Sequence, residues 1–356
     1  MSKAYSREMG DDMLKLIQRN YKLGALFAGG ITLVLAGAMG FSKKASAAQL
    51  TMKYGTPTIN DSQHEWMKRF KARVEKKSGG EIEVKLFPAS QLGKIPRMIE
   101  GLQFGTIEGV VAPSAFFIGV DKLNSVLSVP GLFKDVNHCW RTFGDPDFRK
   151  LMFPLMEGKG ITAISMLCTA PQAFLTKKKI TTLADLQGLR VRVLASPLEI
   201  EPLKAAGLKP VPMPLGEVVP ALKQNLIDGV SSIPVLFGKL KMDTVAKNIT
   251  SSNLIYFGVP AYVSVKFWDK LSRAQKNMML SEAIEVEKEV RPWNDKANAG
   301  VLAGWKKRGG TVVDLPKADQ TKLASTANTA AAAFIAKNPA LNGFFQKINA
   351  IVQKHK

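Results

Sequence analysis

The chain has 356 residues, of which 46% are hydrophobic and 22% charged, with a formal net charge of +21. That length is too great for one small core and suits two lobes, and that composition excludes a disordered chain. The charge admits nucleic acid, anionic lipid or an acidic ligand. However, the basic residues form only short runs, such as 177–179 and 306–308, with no zinc-finger spacing or RNA-binding aromatic pattern, so the expectation is a basic surface and no nucleic-acid partner.

The first fifty residues read as an address. Residues 23–42 carry no charge, follow Lys15, Arg19 and Lys22, and precede Lys43, Lys44 and the small-residue run Ala45-Ser46-Ala47-Ala48. A basic start, an apolar middle and an A-x-A site predict a signal peptide over 1–48, cleaved after Ala47 or Ala48. The apolar run is also long enough to span a bilayer at ~1.5 Å per residue, so an uncleaved anchor is the alternative. Either one places the remainder outside the cytoplasm, in the periplasm.

From residue 50 the pattern is α/β. Residues 50–54 alternate apolar and polar side chains, as a strand does. Residues 61–77 set Trp66, Phe70 and Val74 four apart on one helical face, and Gly79-Gly80 stops the helix. Residues 81–87 alternate again, 94–104 carry Met98, Ile99 and Leu102 on one helical face, and 110–112 read as a short buried strand. Strand, helix, strand, helix, strand predicts a mostly parallel sheet. The order resumes with strand 161–167, short helix 183–188, strand 189–193, helix 197–206, strand 209–213, helix 216–224 and strand 230–233.

After Ser272, an N-cap residue type, Met279, Ala283, Val286, Val290, Trp293, Ala297, Val301 and Trp305 form one apolar stripe. It predicts a helix of roughly thirty-five residues, ~50 Å long, bent at Pro292 and long enough to run along two lobes. A strand at 311–315 and further helices close the chain.

No CxxC or HxxxH spacing occurs, so no metal site is expected. Cys139 and Cys168 read as two buried free thiols, with a disulfide the alternative in an exported chain; spacing does not decide between them. No G-x-S-x-G, Walker loop or G-x-G-x-x-G is present, so no catalytic residues and no cofactor are assigned. Glu217, at a helix start, is read as a dipole-favouring or capping acid.

Several ordered blocks carry a resemblance: "LADLQGLRVRV" (183–193), "GLKPVPMPLGEVVPALKQNLIDGV" (207–230) followed by Pro234, "VEKKSGGEIEVKLFPASQLG" (74–93), "GLFKD" (131–135) and "VSVKFWDKLS" (263–272). Over nearly all of residues 50–320 the chain resembles the solute receptors of tripartite ATP-independent periplasmic (TRAP) transporters, of the C4-dicarboxylate-binding type. The resemblance implies a two-lobed periplasmic-binding-protein-like fold with crossover strands and a long helix spanning both lobes. Lobe I would comprise 49–168 and 259–303, and lobe II 169–258 and 304–356. It also implies closure on a small organic carboxylate, delivery to membrane permease subunits, and no catalysis. A receptor for an ATP-driven importer or a sensor, and an enzyme acting on an organic acid, are the rival readings.

Arg192 stands where this family places its ligand-carboxylate arginine, and a guanidinium offers a carboxylate two parallel donors. Arg190, on the same strand, is expected to face solvent. Ser232, then Ser231, stand where the family's polar contacts follow the D-G turn, although its usual asparagine is absent. Gln172 replaces a second polar or basic contact, and Leu215, after Met213, replaces a common aromatic. Thr56 and Ser114 lie on loops expected to face the cleft, and Tyr256, Phe257 and Tyr262 near the return crossover are expected to wall it. The loss of the asparagine and of a second cation favours an acid with one carboxylate and a less polar body.

Overall fold

The computed structural model describes residues 50–356; the predicted leader, with its anchor alternative, lies outside the described residues. No helix among the described residues is long and apolar enough to cross a membrane. The fold is α/β and two-lobed. The first stretch runs β1 (Leu50–Gly55), α1 (Ser62–Lys77), β2 (Ile82–Phe87), α2 (Ile95–Phe104), β3 (Gly109–Val111), α3 (Val136–Gly144) and α4 (Pro146–Met152), and leaves along β4 (Ile161–Thr176). The second runs β5 (Arg190–Val193), α5 (Pro197–Ala205), β6 (Lys209–Pro212), α6 (Val218–Lys223), β7 (Gly229–Ser232) and α7 (Pro234–Lys239), and returns along β8 (Asn248–Ser264). Then come α8 (Val265–Trp268), α9 (Arg273–Lys307), β9 (Thr311–Asp314), α10 (Lys317–Ala336) and α11 (Pro339–Lys354).

The strands order as β2-β1-β3-β8-β4-β7-β5-β6, with β9 also on β8. Pairing is parallel within each wing, β1 with β3 and β5 with both β6 and β7, as the alternating pattern predicts. It is antiparallel wherever a crossover strand meets another strand of the two wings, in β3/β8, β4/β8 and β4/β7, because β4 leaves the first lobe and β8 comes back. The strand expected to stop at 167 in fact continues to Thr176 through Pro171. Register shifts between Cys168 and Ala173 absorb the proline, which tolerates only such irregular positions inside a sheet.

In the first lobe Asp61 caps α1, accepting from the His64 amide, and Trp66 stacks on Phe70 with ring centres 4.5 Å apart. Tyr54 packs on both rings. The second lobe packs Val191 and Val193 of β5 against Leu203 of α5 and against Leu323 and Ala327 of α10.

Helix α9 spans 35 residues and opens with a reciprocal Ser272–Gln275 capping box. It packs on α1 and β4 along one part and on α7 and β9 along another, so it spans both lobes. Met279, Ala283, Val286 and Val290 are buried as predicted. Beyond Pro292 the stripe changes: Trp293, Ala297 and Val301 are only half-buried, and Asn294 and Asn298 take the buried positions. The cause is polar. Asn298 accepts from the Val235 amide (3.0 Å) at the start of α7, a donor without an intrahelical partner, and donates to the Asn294 carbonyl (2.8 Å).

Cys139 on α3 and Cys168 on β4 form a disulfide, which corrects the expectation of two free thiols. Helix α3 lies on β4 and brings the two Cα atoms to 6.1 Å, within bridging range.

Candidate ligand-binding site

A pocket opens between the two lobes, with about 450 Å³ of space free of atoms when its mouth is included. Pro57, Thr58 and Gln63, after β1 and at the start of α1, form one wall with Pro113 and Phe116 after β3. Arg192 of β5 and Leu194 just after it, Leu215, and Ser232, Ile233 and Leu236 from the β7–α7 junction form the other. Thr169 of β4 and Phe257 and Val259 of β8 lie between, on the crossover strands.

Strand alternation decides which way β5 presents its charge. Val191 and Val193 enter the lobe core, and Arg192 is only 1% exposed. Its Nε donates to the Met213 carbonyl (3.0 Å), whereas its Nη2 is buried with no hydrogen-bond partner. Burial lowers the guanidinium to about 10, with the charge of Glu199 opposing the shift, so Arg192 remains a cation at neutral pH. Arg190, on the same strand, is instead held by Asp228, with Nε at 3.0 Å and Nη2 at 2.7 Å, and its side chain is partly exposed.

Behind Arg192 lies a buried acid that the sequence reading missed. Glu199, in the first turn of α5, accepts from the Leu194 amide (3.0 Å) through one oxygen. The other accepts from Ser231 Oγ (2.6 Å) and Gln172 Nε2 (3.2 Å). Gln172 also donates to Ser231 (2.7 Å) and accepts from Ser252 Oγ (2.9 Å). Burial raises the Glu199 carboxyl to about 7, against the Ser231 hydrogen bond and the Arg192 charge. The run Ser196-Pro197-Leu198-Glu199 has capping-box spacing, which points Glu199 at a helix end. Ser196 makes no cap hydrogen bond, and Glu199 turns inward.

The opposite wall is braced in a similar way. Buried Asp61 accepts from Thr58 Oγ1 (2.8 Å) and Gln63 Nε2 (3.1 Å), and Thr56 Oγ1 lies at 3.2 Å from Thr58 Oγ1 and 3.3 Å from Gln63 Oε1.

Of the predicted site residues, Arg192, Ser232, Leu215 and Phe257 line the pocket. Gln172 and Ser231 lie one layer behind, engaged with Glu199, and Met213 contributes its carbonyl to Arg192. The loops chosen through Thr56 and Ser114 are at the pocket, but Thr56 is spent on Thr58 and Gln63, and Ser114 is buried at the start of a one-turn helix while Pro113 and Phe116 form the wall. Tyr256 neighbours Phe257 on β8 and is the register partner of Pro171 on β4, but it does not line the pocket. Tyr262 is buried against Phe117 and donates to Asn124 Oδ1 (3.1 Å). Thr58, Gln63 and Thr169 are polar lining residues that no sequence signal singled out. Glu217 makes no cap hydrogen bond and instead pairs with Lys94 Nζ (2.8 Å), from the other lobe, two residues from the lining Leu215.

Known proteins share this fold. The profile of the DctP family, described as bacterial extracellular solute-binding protein, family 7, matches residues 55–338. The 2,3-diketo-L-gulonate-binding periplasmic protein YiaO of Escherichia coli is 29% identical over 283 residues, 79% of this chain and 86% of that one. A TRAP periplasmic solute-binding protein of Haemophilus influenzae, solved with bound L-gulonate, superposes with a TM-score of 0.80 at 26% identity, covering 85% of this chain and 100% of that one. Another, from Desulfovibrio salexigens with bound orotic acid, superposes with the same score, identity and coverage.

Proposed function

The chain belongs to family 7 of the bacterial extracellular solute-binding proteins, and from that premise we propose that it is the periplasmic receptor of a TRAP transporter. It closes on a small organic acid through Arg192 and hands it, without catalysis, to membrane permease subunits. The observation that carries this reading is the Arg192 Nη2, buried and unpartnered beside a pocket between two lobes. A buried polar group normally has a partner, and an unmet donor on a cation is the costliest kind to leave so. A ligand carboxylate supplies that partner.

The pocket chemistry narrows the ligand class. One cation faces Leu194, Leu215, Ile233, Leu236, Phe257 and Val259, with Thr58, Gln63, Thr169 and Ser232 as the polar groups. This suits one carboxylate on a largely apolar or planar body better than a dicarboxylate or a polyhydroxylated acid. Of the anions held by the two solved structures compared above, orotate fits that description better than gulonate. Sheet order supports the lobe division at 168/169 and 258/259, within the two crossover strands. Closure excludes water and lowers the local dielectric, which strengthens the ion pair in the closed form that the permease reads.

A thermal-shift screen of the purified protein against keto acids, aromatic monocarboxylates, dicarboxylates, sugar acids and neutral sugars tests the proposal. A ligand at a hundred times its Kd adds about 2.7 kcal/mol of stability. The expected hits are monocarboxylates, lost in Arg192→Ala. Tighter binding of succinate or a sugar acid overturns the ligand class, and hits confined to neutral sugars overturn the Arg192 site.

A further inference from the structure

The receptor reading leaves Glu199 unexplained: a carboxyl group with no exposed surface, placed beside the one cation of an anion-binding pocket. We propose that the protein takes up a proton at Glu199 as it closes on an anion, so that its affinity for a carboxylate falls as the pH rises and Glu199 becomes charged. The proposal rests on the pocket being the ligand site.

The geometry carries it. Glu199 and Arg192 are both fully buried, and each charge acts on the other. An ionised Glu199 spends part of the guanidinium's attraction and repels a second carboxylate brought to the same cation in a dry cleft. Placing the ligand there makes the neutral acid the better state. The hydrogen bonds permit that state. The oxygen facing the Leu194 amide must go on accepting, so the proton settles on the oxygen shared by Ser231 and Gln172. Ser231 Oγ then changes from donor to acceptor, and its own hydrogen is released to rotate beside the lining residue Ser232. The charge on Glu199 is thereby coupled to the hydroxyl orientation at the pocket edge.

The surrounding elements supply no competing charge. Gln172 of β4, Ser231 of β7 and Ser252 of β8 are neutral, and the other charged residues of α5, Glu201 and Lys204, pair with each other at the surface. On β5, Arg190 is bound to Asp228. Helix α10 packs on α5 through Leu323 and Ala327; its Lys317 and Lys322 are exposed, and Asp319 accepts from the Leu183 amide. The 3₁₀ segment at 122–128 also touches α5, with Lys122 exposed and the preceding Asp121 paired with Lys159. On β6, Lys209 is exposed.

The test is calorimetric titration with orotate, L-gulonate, pyruvate and benzoate between about pH 5.5 and about pH 8.5, where these carboxylates are already ionised. Each titration is repeated in two buffers of different ionisation enthalpy to count protons. The expected result is net proton uptake on binding, with affinity falling by up to about tenfold per pH unit above neutrality. Glu199→Gln, which keeps the shape and mimics the neutral acid, should bind with no proton uptake and a flat pH profile, at least as tightly as the wild type does at the acid end. Ser231→Ala removes a donor that favours the charged form, and should move the fall to higher pH. Equal profiles and equal proton counts in wild type and Glu199→Gln overturn the proposal while leaving the receptor intact. Failure of the wild type to bind these four and every other carboxylate of the thermal-shift panel at any pH overturns the receptor reading and this proposal with it.

Discussion

The proposed function concentrates in one side chain, Arg192, and its replacement discriminates between charge and geometry. Arg192→Ala should cost on the order of 2–5 kcal/mol of binding, as for a buried charge pair cut on one side. Arg192→Lys should also bind poorly, since an ammonium cannot both donate to the Met213 carbonyl from the strand and present a planar fork to a carboxylate. Calorimetry on both variants reads this directly, and wild-type affinity in either refutes the assignment. Glu199 should mark stability as well as binding. Its folded value, about 7, lies above the ordinary 4.5. The folded state therefore holds the proton more firmly, and the contribution is fully present below about pH 4.5 and lost as pH rises through about 7. The stability of wild type relative to Glu199→Gln should fall by at most about 3 kcal/mol across that window, measured by urea midpoints at its two ends. Arg192 was legible because a strand alternates and a motif surrounds it. Glu199 was not, because an acid three residues after a serine at a helix start has the pattern of a cap. Only the approach of β4 and β7, distant in sequence, turns it inward.

At the level of elements, α9 is fastened to α4 by a buried ion pair and to the crossover β4 by hydrogen bonds of the same carboxylate, and the α3–β4 contact by a covalent bond. Glu287 of α9 binds Arg149 (2.5 Å), Ser165 Oγ (2.7 Å) and the Met166 amide (3.0 Å), tying the long helix to β4. Glu287→Ala leaves Arg149 buried without its counter-charge and should destabilise the protein by about 3–5 kcal/mol in chemical denaturation. The double variant Arg149→Met/Glu287→Leu should recover most of that loss, because replacing both partners removes the uncompensated charge. The disulfide closes a loop between positions 29 apart, and its reduction should lower stability by about 3–4 kcal/mol; a denaturation midpoint unmoved by reductant would show that the bond contributes nothing. The 35-residue length and the cap of α9 were written in its own period and in Ser272. Its second half was not: Asn294 and Asn298 interrupt the apolar stripe because the buried face there meets the bare amide end of α7, a partner local periodicity does not contain. The full span of β4 was hidden for a related reason, since Pro171 reads as a break unless its partner strand shifts register.

For the whole molecule, the question is what holds the two lobes together when the pocket is empty. Lys94 and Glu217 reach each other from opposite lobes at 2.8 Å, with side chains 71% and 48% exposed. A pair so exposed contributes little to the stability of either lobe. In the proposed closure its weight falls instead on the balance between open and closed forms, where a small difference is read directly as apparent affinity, since a ligand that binds the closed form is weakened by the fraction of molecules not in it. Lys94→Glu sets two acids against each other across the cleft and should weaken binding of the screening hit by less than about tenfold. The loss should shrink as salt rises, because exposed charges are screened over a Debye length of about 10 Å at 0.1 M. The swap Lys94→Glu/Glu217→Lys should restore affinity, and small-angle scattering of the unliganded single variant should report a larger radius than that of the swap. The melting temperatures of the unliganded proteins should agree, because neither residue belongs to a core. Weakened binding in the swap equal to that in the single variant would place Lys94 in direct contact with the ligand and remove its role as a latch.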